Sequence, residues 1–219
     1  RLGPEVIPGT PRVLNPFPKK ETANRLDFAN WLSTEDNPLF ARVTVNRIWQ
    51  QYFGRGIVET ENDFGTQGIP PSHPDLLDWL ATELIGNGWN IKALHKKILM
   101  SATYQQSSKV TATQKELDPD NRLVGRQTRM RLESEIVRDV ALTASGLLST
   151  RMGGPSVHPP QPSGVMTLGQ VQRSWKPDEG ENRYRRGLYT FFWRATPHPS
   201  LTVFDSPDAF STCSRRLRS

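Results

Sequence analysis

Two apolar segments separated by a glycine-rich stop constrain the fold of this chain more than any other feature. The first segment has leucines spaced three to four residues apart, as on one face of an α-helix: Leu77, Leu80 and Leu84. The residues "GNG" (86–88) are a typical helix stop, and Asn90 is a typical N-cap for a following helix. Helical spacing then resumes in four more residues: Ile91, Leu94, Ile98 and Ala102. The pattern predicts a helical hairpin in a mainly α-helical domain.

The same spacing predicts three more helices. The first of these is predicted to begin at Thr22, and the second to begin at Asp36 or Asn37 and to end at Gly54. The hairpin itself is predicted to begin at Ser72, with Asp75 in its first turn. A later helix is predicted in "RLESEIVRDVALTASGLL", with one apolar face: Leu132, Ile136, Val140, Ala144 and Leu147. Residues 103–121 are polar and are predicted to be a loop.

Proline and glycine divide the chain into parts of different character. Residues 1–20 are Pro-rich and are predicted to be an extended lead-in, and residues 21–219 are predicted to form one domain. The helical part of that domain spans 21–149 and the loop-rich part spans 150–219. Short strands are predicted around Gly164–Leu168 and in the aromatic stretch "RRGLYTFFWRAT". The predicted fold class is mainly α, with a loop-rich C-terminal part carrying a few short β-strands.

The positive charge lies in the second half of the sequence. The net charge is +6, and residues 1–121 carry a net −1 while residues 122–219 carry a net +7. A basic surface is typical of proteins that bind nucleic acid, anionic glycans, lipid headgroups or acidic partners, and it also occurs as a merely solvated surface. The single cysteine, Cys213, excludes an internal disulfide and any CxxC site. No apolar stretch reaches the length of a transmembrane helix, and no signal peptide is visible.

The common catalytic motifs are missing from the sequence. It contains no P-loop, HExxH or GxSxG motif, and in "GRGIVE" Glu59 stands where the dinucleotide fingerprint requires its third glycine. The histidines lack the spacing of metal ligands: His73, His95, His158 and His198. No metal site is therefore predicted, and without a CxxCH motif no haem or other cofactor is predicted in this chain. Whether the chain is an enzyme stays open.

Two groups of polar residues are weak catalytic candidates. The first lies in the loop "GRGIVETENDFGTQGIPPSHPDLLDWL" (54–80), where Asp63, His73 and Asp75 provide groups for acid–base chemistry or, alternatively, solvated and helix-capping side chains. The second is a set spaced along a predicted helix, where Arg131, Glu135 and Asp139 form either a polar site or a structural ladder of ion pairs with Arg138: the spacing allows both.

Two aromatic–arginine pairs are candidate binding residues. Arg47 with Trp49, and Trp193 with Arg194, provide rings that could stack on sugars or bases and guanidinium groups that could bind anions. The alternative is that the rings belong to the core, because both lie in apolar-patterned segments.

Several long segments of the sequence resemble one family. The segments, in chain order over residues 24–219, are "NRIWQQYFGRGIVETENDFG", "PPSHPDLLDWLA", "GWNIKALHKKILMSATYQQSS", "DPDNRL", "RLESEIVRDVAL", "YRRGLYTF" and "FDSPDAFSTCSRR". They are similar to the planctomycete-type C-terminal domain of unknown function, the domain of unknown function 1553 family. Members typically continue into a segment resembling "NTPLQAL", which implies a domain truncated after Ser219.

The resemblance implies a context but transfers no catalytic residues. Family members usually occur in large exported proteins that also carry a cytochrome c module and a second uncharacterised domain. It therefore implies an exported, periplasmic setting, a c-type haem elsewhere in the parent protein, and those two domains as partners.

Two hypotheses about function follow. In the first, the chain is a non-haem module that binds a polysaccharide-derived substrate for oxidation elsewhere in the parent. In the second, it is a scaffold or protein-interaction domain without chemistry. Nucleic-acid binding has only the calculated pI of 9.7 in its favour, and export argues against it.

Overall fold

The computed structural model describes residues 3, 9–18, 22–169, 173–204 and 206–207. These residues form eight α-helices: α1 Arg25–Leu32, α2 Phe40–Phe53, α3 Pro74–Gly86, α4 Ile91–Leu99, α5 Ala102–Gln105, α6 Ala112–Leu117, α7 Ser134–Ala144 and α8 Pro199–Val203. Three short 3-10 helices span Val165–Leu168, Gly180–Tyr184 and Gly187–Tyr189. The chain divides into two compact units, Arg1–Met130 and Arg131–Ser219, called here the first and second units. Among the described helices, none is long and apolar enough to cross a membrane.

The first unit has an apolar core built by α2, α3 and α4. Helix α2 packs against α3, and α3 packs against α4, which confirms the predicted hairpin. The predicted leucines are buried, and Leu84 is only 1% exposed. A buried amide ties the following loop to this core, because Asn46 Nδ2 donates to the Val58 carbonyl and Asn46 Oδ1 accepts from the Val58 N–H, at 3.0 and 2.9 Å. Burial of each large apolar side chain contributes about 2 kcal/mol.

Several predicted helix boundaries in the first unit are confirmed, but α1 begins at Arg25 with Asn24 as its N-cap and not at Thr22. The Asn37 side chain accepts hydrogen bonds from the Leu39 and Phe40 N–H groups before α2. Gly54 ends α2 with φ +77°, a left-handed conformation that glycine adopts without steric cost. Asn90 caps α4 by accepting from the Ala93 N–H. The prediction for Ser72 is wrong: His73 takes the N-cap position of α3, and the Ser72 hydroxyl bonds the Ile57 carbonyl instead.

Two other predictions for the first unit also need correction. Residues 103–121 are not all loop, because α5 continues from residue 102 into this range and α6 lies within it. Helix α6 begins with a capping box in which Thr111 accepts from the Gln114 N–H and the Gln114 side chain accepts from the Thr111 N–H. The signal T-x-x-Q was present, but no apolar periodicity accompanied it. Ile91 was predicted to be buried, yet it is 47% exposed, because the first turn of α4 extends beyond the core.

Helix α7 opens the second unit and is shorter than the predicted helix. Its expected apolar face is largely exposed: Leu132, Val140 and Leu147 have exposed fractions of 51%, 54% and 48%. The packed side of α7 is polar, and it contacts the 3-10 helix Gly187–Tyr189 and helix α8. Amphipathic spacing therefore identified the helix but assigned the wrong face to the interior.

The predicted strands do not appear in the described part of the second unit. Residues 165–168 and 187–189 are 3-10 helices, and backbone pairing occurs as isolated bridges such as Ser149–Arg185 and Val157–Thr190. The aromatic stretch pairs with Val157 through the Tyr189 carbonyl and the Phe191 N–H, and the Arg185 carbonyl at its start accepts from the Arg138 side chain. Aromatic alternation therefore does not produce a sheet here.

A buried arginine organises the irregular loop of the second unit. Arg185 is 1% exposed, and its guanidinium donates to the carbonyls of Arg151, Gly153 and Pro155. The same guanidinium lies 3.7 Å from the ring centre of Tyr189, which adds a cation–π contact. Three hydrogen bonds and one ring contact from a single guanidinium therefore hold this loop where a sheet would use a backbone ladder.

Candidate functional site

The loop after α2 uses its central acid for its own structure. Asp63 Oδ1 accepts from the Gly65 N–H at 2.8 Å, and the Thr60 hydroxyl donates to the Asp63 carbonyl at 2.8 Å. A Cβ added at Gly68 would lie 2.2 Å from that carbonyl oxygen, so the loop is closed tightly on itself. Asp63 therefore stabilises a turn.

His73 and Asp75 lie at the start of α3. His73 Nδ1 is 3.0 Å from the Ser72 hydroxyl, and Asp75 is exposed in the first turn, where a carboxylate is favoured by the helix dipole. No hydrogen bond or ion pair joins Asp63, His73 and Asp75 among the described residues. The structure thus places each of these three candidates in a local structural role.

Two residues of the predicted ladder on α7 contact the segment that leads into the 3-10 helix Gly187–Tyr189. Asp139 accepts from Arg186 Nε at 2.7 Å and from the Gly187 N–H at 2.6 Å. Arg138 donates to backbone carbonyls, and burial lowers the pKa of its guanidinium. Glu135 accepts from the Ser134 hydroxyl at 3.0 Å, whereas Arg131 is exposed just before the helix. The group therefore anchors α7 within the second unit.

The two aromatic–arginine pairs differ in their exposure. Trp49 is 5% exposed and stacks on Phe53 with ring centres 4.1 Å apart, so its ring faces are occupied by the core. Arg47 is exposed and lies 3.4 Å from Asn62 Oδ1. Trp193 and Arg194, by contrast, line an open surface cavity, which leaves this pair as the better binding candidate.

We call this cavity the aromatic groove; it is lined by Phe191, Phe192, Trp193, Arg194 and Ala195. Its volume is about 360 Å³, within the range of small-molecule sites, which starts near 300 Å³. Phe191 meets Trp193 edge-on at 5.7 Å, and the Arg173 guanidinium lies 5.1 Å from the Trp193 ring centre. The groove thus combines apolar ring surfaces with two arginines.

The side chains behind the groove were not singled out from the sequence. His158 stacks on Phe191 at 4.8 Å, and Trp175 meets His158 edge-on at the same distance. Asp178 Oδ2 accepts from the backbone N–H of His158 at 2.6 Å and lies 3.7 Å from the ring nitrogen Nδ1 of His158. These contacts join residues 158, 175, 178 and 191, which are distant in sequence. The only signal in the sequence was the presence of aromatic residues in these segments.

The family follows from a comparison with known family models. The model described as PSD1, a protein of unknown function (DUF1553), matches residues 24–219. The chain belongs to the PSD1 family. Searches of curated proteins and of solved structures gave no significant match. The resemblance in the sequence is therefore confirmed as to family, and the aromatic groove lies within the PSD1 match.

Two further histidines of this PSD1 domain are held in defined hydrogen bonds. His198 Nε2 lies 3.2 Å from the Pro160 carbonyl, which can only accept, so Nε2 carries the proton and Nδ1 accepts from the Ser200 hydroxyl at 2.8 Å. Burial lowers the pKa of His198, which favours this neutral form. His95 Nδ1 lies 2.7 Å from the Tyr52 hydroxyl, and burial raises the pKa of Tyr52.

The described residues contain no cluster of three or more His, Cys, Asp or Glu side chains arranged to hold a metal ion. Cys213, named in the sequence analysis, and the basic residues at 215, 216 and 218 lie outside the described residues. The arrangement that remains is the open aromatic groove, with His158 packed against one of its rings and Asp178 bonded to the His158 backbone.

Proposed function

We propose that the second unit binds a carbohydrate in the aromatic groove. The observation that carries this proposal is the placement of Trp193 between an arginine and a second ring at the wall of an open cavity of about 360 Å³. Sugar rings present C–H groups on their faces, and these pack on aromatic rings, while their hydroxyls accept from guanidinium N–H groups. Carboxylated or sulfated sugars would gain a charge-assisted bond to Arg194 or Arg173.

The wider context of the proposal comes from the family. We propose an exported, periplasmic protein in which this module positions a polysaccharide-derived substrate for oxidation by a part that carries c-type haem. The sequence has one cysteine and no CxxCH motif, so the residues of this chain do not fit covalent haem attachment. The chain's own contribution is therefore binding and orientation, and the haem-bearing and second uncharacterised domains of a longer protein are its proposed partners.

A scaffold is the second candidate function, and one observation favours it. Apolar residues in and beside α7 are about half exposed, with Val140 in the helix and Leu132 and Leu147 beyond its two ends. Apolar surface of this kind is common where proteins associate. A scaffold requires no ligand in the aromatic groove. The two functions therefore make opposite predictions for the same binding experiment.

The test is a panel of oligosaccharides, neutral and uronate-containing, titrated calorimetrically into the chain and two variants. Trp193→Ala removes the ring at the groove, and Trp79→Ala removes a tryptophan of the first unit that is 48% exposed as its matched control. Binding by one sugar class, weakened at least about tenfold in Trp193→Ala and unchanged in Trp79→Ala, supports the proposal. If none of the sugars binds, or if Trp193→Ala and Trp79→Ala bind them equally well, carbohydrate binding in the groove is overturned in favour of the scaffold.

Arg194→Gln then separates the two kinds of recognition. It should weaken uronate binding about tenfold and leave neutral sugars nearly unaffected, since only the charged ligand forms an ion pair. Equal weakening for both classes would show that the arginine contributes shape rather than charge.

A further inference from the structure

A second candidate binding site lies in the first unit, in the segment of residues 118–129. Two of its residues have left-handed backbones without being glycine: Asn121 has φ +54° and Val124 has φ +52°. Asparagine tolerates this conformation, but a β-branched residue adopts it only under strain. Backbone strain persists where surrounding contacts impose it, and such positions cluster at ligand sites.

The contacts that impose the strain are specific. Asp118 accepts from the Arg122 and Leu123 N–H groups with its two carboxylate oxygens, at 2.7 and 2.9 Å. Arg126 is 9% exposed, and it donates back to the carbonyls of Asp118 and Pro119, at 3.0 and 2.7 Å. The segment is therefore a closed loop held at both ends by charged side chains.

This segment forms a wall of a cavity of about 480 Å³, a volume suited to a small molecule. Two amide side chains of the wall have spare acceptors. Asn121 donates to the Arg126 carbonyl at 2.8 Å, and Gln127 donates to the Tyr52 carbonyl at 3.4 Å, so both amide orientations are set by their nitrogens. Asn121 Oδ1 and Gln127 Oε1 are buried and have no hydrogen-bond partner among the described residues. Buried acceptors usually have donors, so two in one wall call for a ligand that donates.

The charge of the cavity points to an anionic group on that ligand. Arg126 and Arg129 both line it, and neither forms an ion pair with a described carboxylate. Arg129 Nε donates to the Ser108 hydroxyl at 3.2 Å, which holds this arginine at the wall with its terminal nitrogens free of other described bonds. Asp120 is the single acid of the lining. The lining therefore has a positive excess, together with acceptors for neutral donors.

We propose that this cavity binds a single-ring sugar that bears an acidic group. Its hydroxyls donate to Asn121 Oδ1 and Gln127 Oε1, and its anionic oxygens accept from Arg129, the pairing that a guanidinium forms best. The two amide oxygens are covered, so the proposal includes a small opening of this segment as the ligand enters. The site is separate from the aromatic groove and does not depend on the function proposed for it.

The test is a calorimetric titration of the whole chain with glucuronate, glucose 6-sulfate, glucose and inorganic sulfate. The two acidic sugars should bind at least tenfold more tightly than either glucose, which lacks the anion, or sulfate, which lacks the hydroxyls. A preference between carboxylate and sulfate identifies the acidic group. Equal binding of sulfate and the acidic sugars would overturn the proposal by showing an anion site alone, and no binding by the acidic sugars would overturn it altogether.

Two variants locate the site. Arg129→Gln should weaken binding of the acidic sugars about tenfold, and Lys92→Gln, which removes an exposed positive charge on α4, should not. Asn121→Gly keeps the left-handed backbone accessible and removes the amide, and it should weaken glucuronate while leaving inorganic sulfate unchanged. Unaltered binding in both variants would overturn the assignment. Trp193→Ala should leave this binding intact, so failure of the aromatic groove and failure of this site are distinguishable.

Discussion

The two units of this chain stabilise themselves by different means. In the first, the interior is a contiguous set of apolar side chains from three helices and the loop after α2, including Trp49, Leu80 and Leu84. In the second, the largest fully buried side chain is a charged one, Arg185, and the other buried groups include Ser149 and Thr190. Apolar contacts have no preferred direction, whereas the hydrogen bonds of a buried guanidinium depend on the position of each acceptor. The second unit is therefore the more sensitive to single polar changes.

The largest effect is expected from Arg185→Leu. The change leaves the carbonyls of Arg151, Gly153 and Pro155 without their donor inside the unit, and the expected loss of stability is about 4 kcal/mol. Hydrogen exchange followed by mass spectrometry should show faster exchange in residues 149–191 and unchanged protection in α2 and α3. Normal protection around residue 153 would contradict the role assigned to this arginine.

The matched control at the same position is Arg185→Lys. It keeps the positive charge but lacks the planar fork, so it cannot reach three carbonyls at once. The stability of Arg185→Lys should lie between that of the unmodified chain and that of Arg185→Leu. Stability equal to the unmodified chain would mean that charge alone, without the fork, holds the loop.

The corresponding change in the first unit is Leu80→Ala. Leu80 of α3 is 2% exposed in the apolar core, and truncation leaves a cavity whose cost is about 3 kcal/mol. Urea denaturation should show a lower midpoint, and hydrogen exchange should accelerate in α2, α3 and α4. Trp79→Ala on the neighbouring, exposed position should change the midpoint little. A loss no larger than that of the control would show that this core is loosely packed.

The same contrast explains which parts of the fold the sequence could predict. Periodicity predicted α2, α3 and α4 because burial of one apolar face determines these helices, as Leu77 and Leu84 show. In the second unit it failed for a physical reason. Helix α7 packs through Asp139 and Arg138, which leave no hydrophobic pattern. The aromatic segment after Arg185 pairs its backbone with Val157 at an isolated bridge, and this pairing does not extend into a strand ladder.

The candidate site was predictable to a similar extent. Trp193 and Arg194 were named from the sequence because an aromatic beside an arginine is a local signal, and they do line a groove. His158 and Asp178 were not named as a pair, because twenty residues separate them and only the folded loop brings them together. Asp63 was named because its loop looked unexplained, and the structure shows that the turn itself accounts for it.

A smaller effect separates backbone strain from packing at Val124. Val124→Ala and Val124→Gly remove the same contacts with the core, but only glycine also relieves the left-handed strain at φ +52°. The glycine variant should be the more stable by about 1 kcal/mol, the reverse of the order found in helices. Urea denaturation of the two variants measures the difference. Greater stability of the alanine variant would show that the backbone moves away from the left-handed region without cost.

The smallest effect concerns pH and tests the polar interior of the second unit. Burial lowers the pKa of His198 in the folded chain, and the Arg138 charge lowers it further, opposed by the Pro160 carbonyl. Below the ordinary histidine pKa of 6.5 the unfolded chain therefore binds the proton first, and stability falls as the pH falls, by at most about 1.4 kcal/mol per pH unit. The difference in urea midpoint between the chain and His198→Gln should consequently shrink from pH 7.5 to pH 5.5. A difference in urea midpoint that stays constant from pH 7.5 to pH 5.5 would mean that His198 is protonated as readily in the folded chain as in the unfolded chain. The second unit would then be more open to water than its buried side chains indicate.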